Sequence, residues 1–262
     1  MIHLGTCSIT LAELTPPQVI DCCKKAGLAG IEWWGKQHVP HGDIATAEYV
    51  GKLTREAGLS TCSYGSYYRA GISENEGLHF SKICETAVAL GVPAIRVWAG
   101  DRGPDEADSA YFQAVVDDLL RIADIAEKSD VVITIEYHGG TLTDTPVSVG
   151  ELLKRADHPG VMFSWQPPVG LSEEECLCGL NAVLPRLGTI HVFHWSVKKS
   201  ADFGVIRHPL IAGSKLWRRY LDMAASSGRE HWALLEFVKD NDPGQFIEDA
   251  AVLHDLIRKT RS

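Results

Sequence analysis

KSDVVITIEYHG (128–139) decides the fold. A helical pattern ends, a short turn follows, a brief apolar strand begins, and the strand closes on Glu136. The same joint recurs along the chain: AGLAGIEWWG (26–35), AGLSTCSYG (57–65), LGVPAIRVWAG (90–100), HPGVMFSWQPP (158–168), LGTIHVFHW (187–195) and SGREHWALLEFV (227–238). IHLGTCS (2–8) adds a first strand with no helix before it. The count is eight strands, one per roughly 33 residues, the length of a strand–helix unit. Glycine near the helix ends is the expected stop, because only glycine adopts positive φ without a Cβ clash.

The helices carry start signals as well. Thr15-Pro16 offers an N-cap followed by proline, Ser172 with Glu175 three residues on is a capping box, and Asp242-Pro243 with Gln245 opens a last helix. Phe246, Ala250, Leu253 and Ile257 form an apolar stripe along that helix. An open dinucleotide-binding sheet would show GxGxxG after a strand, and no strand here is followed by it. Eight near-equal units predict an α/β fold of the (β/α)8 TIM-barrel type, a single domain over 1–262 with no linker or change of composition.

With 262 residues and 45% hydrophobic content, the chain can fill a core and is too apolar to be disordered. The formal net charge of −9 makes nucleic acid an unfavourable main partner. No apolar run approaches the roughly 18 residues of a membrane helix, and MIHLGTCSIT does not read as a signal peptide. The seven cysteines show no zinc-type spacing and are expected to be reduced and mostly buried, in keeping with a cytoplasmic protein.

In a barrel the chemistry sits where strands end. The second strand ends at Glu32-Trp33-Trp34, the fifth at Glu136, the sixth at Trp165-Gln166, the seventh contains His191 and His194, and the eighth ends at Glu236. A single glutamate in such a place is more often paired with Lys or Arg, and a single histidine is more often a hydrogen-bonded core residue. Successive strands carrying them at one height point instead to a shared cation, because facing carboxylates repel unless protonated or bridged. Glu136 and Glu236 supply oxygen, His191 nitrogen and Gln166 an amide oxygen, a donor set suited to one divalent ion: Mn, Mg, Co or Zn. Arg96 is a charge partner for Glu32 in the mouth. His38, His41 and Asp43 in HVPHGD (38–43) are weighed as a second metal cluster against a loop-shaping role, with Asp43 capping the next helix; the latter is favoured.

GIEWWG (30–35), VVITIEYHGGTLTDT (131–145), VMFSWQP (161–167), TIHVFHW (189–195) and ALLEFVKD (233–240) resemble the xylose-isomerase-like barrels, the sugar phosphate isomerase/epimerase superfamily, over essentially the whole chain. The resemblance implies that Glu136, His191 and Glu236 are metal ligands. The sixth strand departs from the family pattern: Gln166 and Val169 stand where Asp and His are usual. The four-residue set then carries −2, which a divalent ion neutralises, so weaker metal retention and a stronger Lewis acid are expected.

The leading expectation is a metal-dependent sugar isomerase or epimerase working through an ene-diolate, with Glu136 and Glu236 as the acid/base pair. Substrate contacts are expected from His138, His194, Arg207, Trp98, Trp33 and Trp165; for the tryptophans, core or rim packing is an equal alternative. A dehydratase of the inosose or shikimate type on the same metal site is the second reading, and a non-catalytic sugar-binding protein the third. A DNA-repair nuclease is disfavoured by the single metal set and the charge. The expected partner is a small sugar or polyol, without phosphate, nucleic acid or membrane; relatives of this kind are often dimers or tetramers, so a homo-oligomer is in view.

Overall fold

The computed structural model describes residues 1–168, 170–198 and 204–260. Eight parallel strands close into a ring: β1 (Ile2–Cys7), β2 (Gly30–Trp34), β3 (Ser60–Arg69), β4 (Ala94–Trp98), β5 (Val132–Glu136), β6 (Val161–Trp165), β7 (Leu187–Val192) and β10 (His231–Leu235), the last pairing back onto β1. Outside them lie α1 (Pro16–Lys25), α2 (Ile44–Glu56), α3 (Phe80–Leu90), α4 (Ser109–Glu127), α5 (Pro146–Arg155), α6 (Glu173–Val183), α7 (Ser214–Ser226) and α8 (Pro243–Thr260). The expected single-domain TIM barrel is therefore the observed fold. Between β7 and β10 the chain adds an antiparallel hairpin outside the ring, β8 (Trp195–Val197) with β9 (Val205–Arg207).

Local chemistry sets the element ends. Thr15 and Gln18 form a reciprocal capping box at α1, as do Ser172 and Glu175 at α6. Asp43 caps α2 by accepting from the Thr46 N–H, and α3 stops at Gly91 with φ 77°. The stripe Phe246, Ala250, Leu253 and Ile257 is buried against the barrel. Most of the apolar core lies between the ring and the helices, where Ile31, Ile95, Ile133, Phe163 and Ile190 are fully buried.

One irregularity matters for the site. Along β3, Gly65 pairs with Arg96 but Tyr68 pairs with Val97, the next residue of β4. Ser66 and Tyr67 are thus extra residues in a bulge. Ser66 Oγ ties it down by donating to the Arg96 carbonyl at 2.6 Å. All seven cysteines are free. Among the described residues no helix is long and apolar enough to cross a membrane.

Candidate metal centre and active site

Side chains of a strand alternate between the two faces of the sheet, so the residue that points into the barrel excludes its neighbours from it. Glu32 of β2, Arg96 of β4, Glu136 of β5, His191 of β7 and Glu236, directly after β10, point inward; they are 1, 2, 3, 0 and 4% exposed. Arg96 Nε donates to Glu32 Oε1 at 2.8 Å, the pairing expected from sequence, and its Nη1 donates to Glu136 Oε2. Ser63 Oγ donates to the other Glu32 oxygen at 2.6 Å. Trp98 Nε1 also donates to Glu136 Oε2.

His191 lies at the centre. Its Nδ1 is 3.5 Å from Glu136 Oε1 and 3.4 Å from Glu236 Oε2, and its Nε2 is 3.9 Å from Glu32 Oε2. Neither ring nitrogen has a hydrogen-bond partner, although the residue is fully buried. An orphaned imidazole between carboxylates calls for a missing positive charge. The donor atoms of Glu136, His191 and Glu236 all lie within 4.8 Å of one another, close enough to share one ion. Cys7, Glu32 and His191 form a second such group on the inner side. With His191 neutral, as a ligating imidazole is, three buried carboxylates against the single guanidinium leave −2, the charge a divalent cation would neutralise; without the ion, a proton on His191 answers part of it. The residues present therefore fit the metal.

The electrostatics agree. Burial opposes ionisation of Glu136, but the Arg96 guanidinium and His191 outweigh it and hold its carboxyl at about 2. Glu32 is pulled well below the carboxylate range against the same burial, again by Arg96 first. Burial disfavours a charged His191, yet Cys7 and Glu236 lift its proton affinity well above the ordinary histidine value. The negative charge shared by these groups would attract a cation.

Gln166 differs from the expected oxygen ligand. Its Nε2 donates to Glu136 Oε1 at 3.2 Å and to the Tyr137 carbonyl at 2.5 Å. Both neighbours only accept, so the amide must turn its nitrogen towards them, and Gln166 holds the Glu136 carboxylate in place. Val169 lies outside the described residues.

Above the metal position a mouth cavity of about 200 Å³ is lined by Glu136, Glu236, Arg96, Gln166, Trp98, His138, Tyr67, Trp195, Phe237 and Ile9. A larger one of about 510 Å³ adjoins it beside the loops after β5 and β6, sharing His138, Gln166 and Trp195. Of the expected substrate contacts, Trp98 and His138 line the mouth; their rings stack at 4.3 Å. His138 Nδ1 is 2.8 Å from the Gly139 carbonyl. Since a carbonyl only accepts, Nδ1 carries the proton and Nε2 is bare in the neutral ring. Arg207 stands at the rim, its guanidinium 4.7 Å from the Phe237 ring centre and its Nη1 donating to Asn241 Oδ1 at 2.6 Å.

Three expected contacts are corrected. Trp33 and Trp165 are fully buried on the outer face of the ring. Trp33 Nε1 donates to Thr54 of α2 at 3.2 Å, and Trp165 packs against Trp217 and Tyr220 of α7. Alternation explains both: Glu32 and Gln166 take the inward positions beside them. His194 lines an outer cavity with Trp217 and Tyr220 that shares Pro167, Pro168, Phe193 and Trp195 with the larger cavity, and it does not line the mouth itself; burial and His208 lower its pKa. The HVPHGD loop is structural: His38 Nδ1 meets Ser8 Oγ at 2.8 Å, His41 meets the Tyr64 hydroxyl at 2.7 Å, and Asp43 caps α2. Sequence reasoning missed Tyr67, Trp195 and Phe237. For Tyr67, the only available signal was the run SYGSYYR (63–69), whose tyrosines break strict alternation.

Comparison with known proteins places the family and the fold. Over 155 residues the chain is 26% identical to a 3-dehydroshikimate dehydratase of Bacillus anthracis; the match takes in 56% of this chain and 54% of that one, so the chain spans about half the length of this curated relative. The crystal structure of the probable 3-DHS dehydratase AsbF from Bacillus anthracis superposes with a TM-score of 0.80 at 19% identity, covering 97% of this chain and 99% of the other. A xylose isomerase-like TIM barrel protein from Mycobacterium smegmatis, solved in complex with magnesium, gives a TM-score of 0.73 at 13% identity, with 99 and 98% coverage. Residues 20–256 match the model of the xylose isomerase-like TIM barrel, and the chain belongs to that family.

Proposed function

We propose that this chain is a divalent-metal-dependent dehydratase of a polyhydroxylated cyclic ketone, with enolisation beside the carbonyl as its first event. The observation that carries the metal-dependent reading is the fully buried His191, without a hydrogen-bond partner, between the carboxylates of Glu136 and Glu236. Glu136, His191 and Glu236 would hold the ion, with Gln166 steadying Glu136. A divalent cation there would polarise the carbonyl and stabilise the negative charge that develops on its oxygen.

The choice of elimination rests on Glu136. Its Oε2 is engaged by Arg96 and Trp98, and its carboxyl is held at about 2. A carboxylate so engaged is suited to binding a cation, which leaves Glu236 as the free base; epimerisation needs a base on each face of the carbon, elimination only one. We assign the proton removal to Glu236. The electron pair of the broken C–H bond is held first as the enolate; its collapse back to the ketone makes the new carbon–carbon double bond as the hydroxyl on the next carbon leaves with its own electron pair. His138, doubly protonated and with Nδ1 tied to Gly139, delivers the proton on Nε2 to the departing oxygen, giving water and the neutral ring. The relationship to a 3-dehydroshikimate dehydratase supports this course. The isomerase or epimerase expected from sequence shares the enolisation and differs in the fate of the proton, which returns to carbon.

The test is metal analysis of the purified protein followed by a substrate screen. 3-Dehydroshikimate, an inosose and ketohexoses are each incubated in D2O with Mg²⁺ or Mn²⁺, and again with EDTA. Metal-dependent growth of ultraviolet absorbance from a dehydration product is expected. Deuterium in a sugar without new absorbance would establish the isomerase or epimerase instead, and binding without either would establish a sugar-binding protein.

A further inference from the structure

Among the described residues, five other than glycine have positive φ: Tyr67 (58°), Asp130 (56°), Phe237 (50°), Asp240 (57°) and Asn241 (52°). Asp and Asn tolerate this region because their short polar side chains bond locally; an aromatic residue does not, and holding one there costs about 1–3 kcal/mol. The two aromatic exceptions line the same mouth cavity. They reach it from strands three places apart in the ring, β3 and β10. Each is held in its conformation by a neighbour: Ser66 anchors the β3 bulge to the Arg96 carbonyl, and Thr10 Oγ1 accepts from the Phe237 N–H at 3.2 Å. Neither ring is sunk in the apolar core, and both are only partly buried. Tyr67 lies against cationic groups, Arg96 and Lys36, each 4.9 Å from its ring centre, and Phe237 lies under Arg207. Each ring also meets a tryptophan of the mouth, Tyr67 edge-on to Trp98 at 5.4 Å and Phe237 tilted to Trp195 at 5.7 Å, so both belong to its aromatic wall and not to the core.

We propose that Tyr67 and Phe237 form a substrate clamp: two strained residues whose rings grip the apolar C–H faces of a ring-shaped substrate over the metal position. The claim rests on the proposed location of the active site and deepens it. It names the substrate class as compact carbocycles or sugar rings, in preference to extended open-chain carbonyl compounds. The cations seated on the two rings orient the aromatic faces towards the mouth, and Arg96 also bonds the Tyr67 hydroxyl.

The test uses Tyr67→Gly and Phe237→Gly, because glycine adopts positive φ freely and relieves the strain while deleting the ring. Without ligand, the melting midpoint of each variant is expected to equal or exceed that of the parent protein; a fall of more than about 4 °C, roughly 1 kcal/mol or more for a chain of this size, would show that the rings serve stability and would overturn the clamp. With the ring substrate identified by the screen, KM is expected to rise at least ten-fold and kcat to change less. An unchanged KM in both variants would also overturn it. If the parent protein turns over nothing in the screen, the proposed function fails separately, and the clamp is read by titration calorimetry with 3-dehydroshikimate and an inosose: binding that both variants weaken at least ten-fold upholds it, and binding that is absent or equal in the variants overturns it.

Discussion

Arg96 donates to Glu32 at 2.8 Å while its other arm reaches Glu136, so one buried guanidinium joins a carboxylate deep in the mouth to a carboxylate of the metal set. This bridge makes Arg96 both a structural tie and a brake on the basicity of Glu136. Arg96→Met leaves two buried carboxylates without their cation. It should destabilise the protein by about 3–5 kcal/mol, read from urea unfolding. A loss below about 1 kcal/mol would mean that the bridge holds nothing together.

The two glutamates of the metal set should fail in different ways. Glu136→Gln removes a charged ligand and should weaken Mg²⁺ or Mn²⁺ binding along with activity, as titration calorimetry can show. Glu236→Gln should lower turnover by about 10²-fold or more even at saturating metal, because the proton acceptor itself is gone. Full activity at saturating metal in Glu236→Gln would move the proton transfer to another residue, with His138 next in line.

Gln166→Asp exchanges a donor on Glu136 for a fourth carboxylate. Metal affinity should rise by about ten-fold, and the metal-free protein should melt lower because a further buried charge is then uncompensated. A thermal-melt series with and without EDTA measures both. Equal shifts in the two conditions would separate Gln166 from the metal site.

Acid should loosen the fold through the same residues. Glu136 sits at about 2 when folded, below the ordinary value of 4.5, and Glu32 is depressed as well. A depressed carboxylate contributes stability above its unfolded value and loses it as pH falls towards its folded value. The melting midpoint should therefore decline from about pH 5 down to about pH 2. Arg96→Met should flatten that decline, since its carboxylates are no longer depressed; an unchanged slope would place the acid sensitivity elsewhere.

Much of this was legible before the structure. The repeating joints count the eight strands of the ring but not the β8–β9 hairpin, and the apolar strands that close on Glu136 and Glu236 mark the proposed site, because a buried strand tolerates a carboxylate only where something answers its charge. The pairing of Arg96 with Glu32 follows from the same reasoning. Orientation was harder. GIEWWG offers Glu32 and Trp33 side by side, and only the register of β2 decides that the glutamate turns inward. His194 lies past the end of β7, where alternation no longer constrains direction. Tyr67 escaped because a bulge interrupts the two-residue period on which any reading of a strand depends.

The β8–β9 hairpin contributes Trp195 to the mouth and Arg207 to its rim, yet pairs with no strand of the ring. Its length and composition can therefore drift across generations without unzipping the closed sheet. Selectivity is then free to diverge in this appendage while the inherited chemistry below stays fixed, a division of labour that lets one scaffold acquire new substrates by small steps.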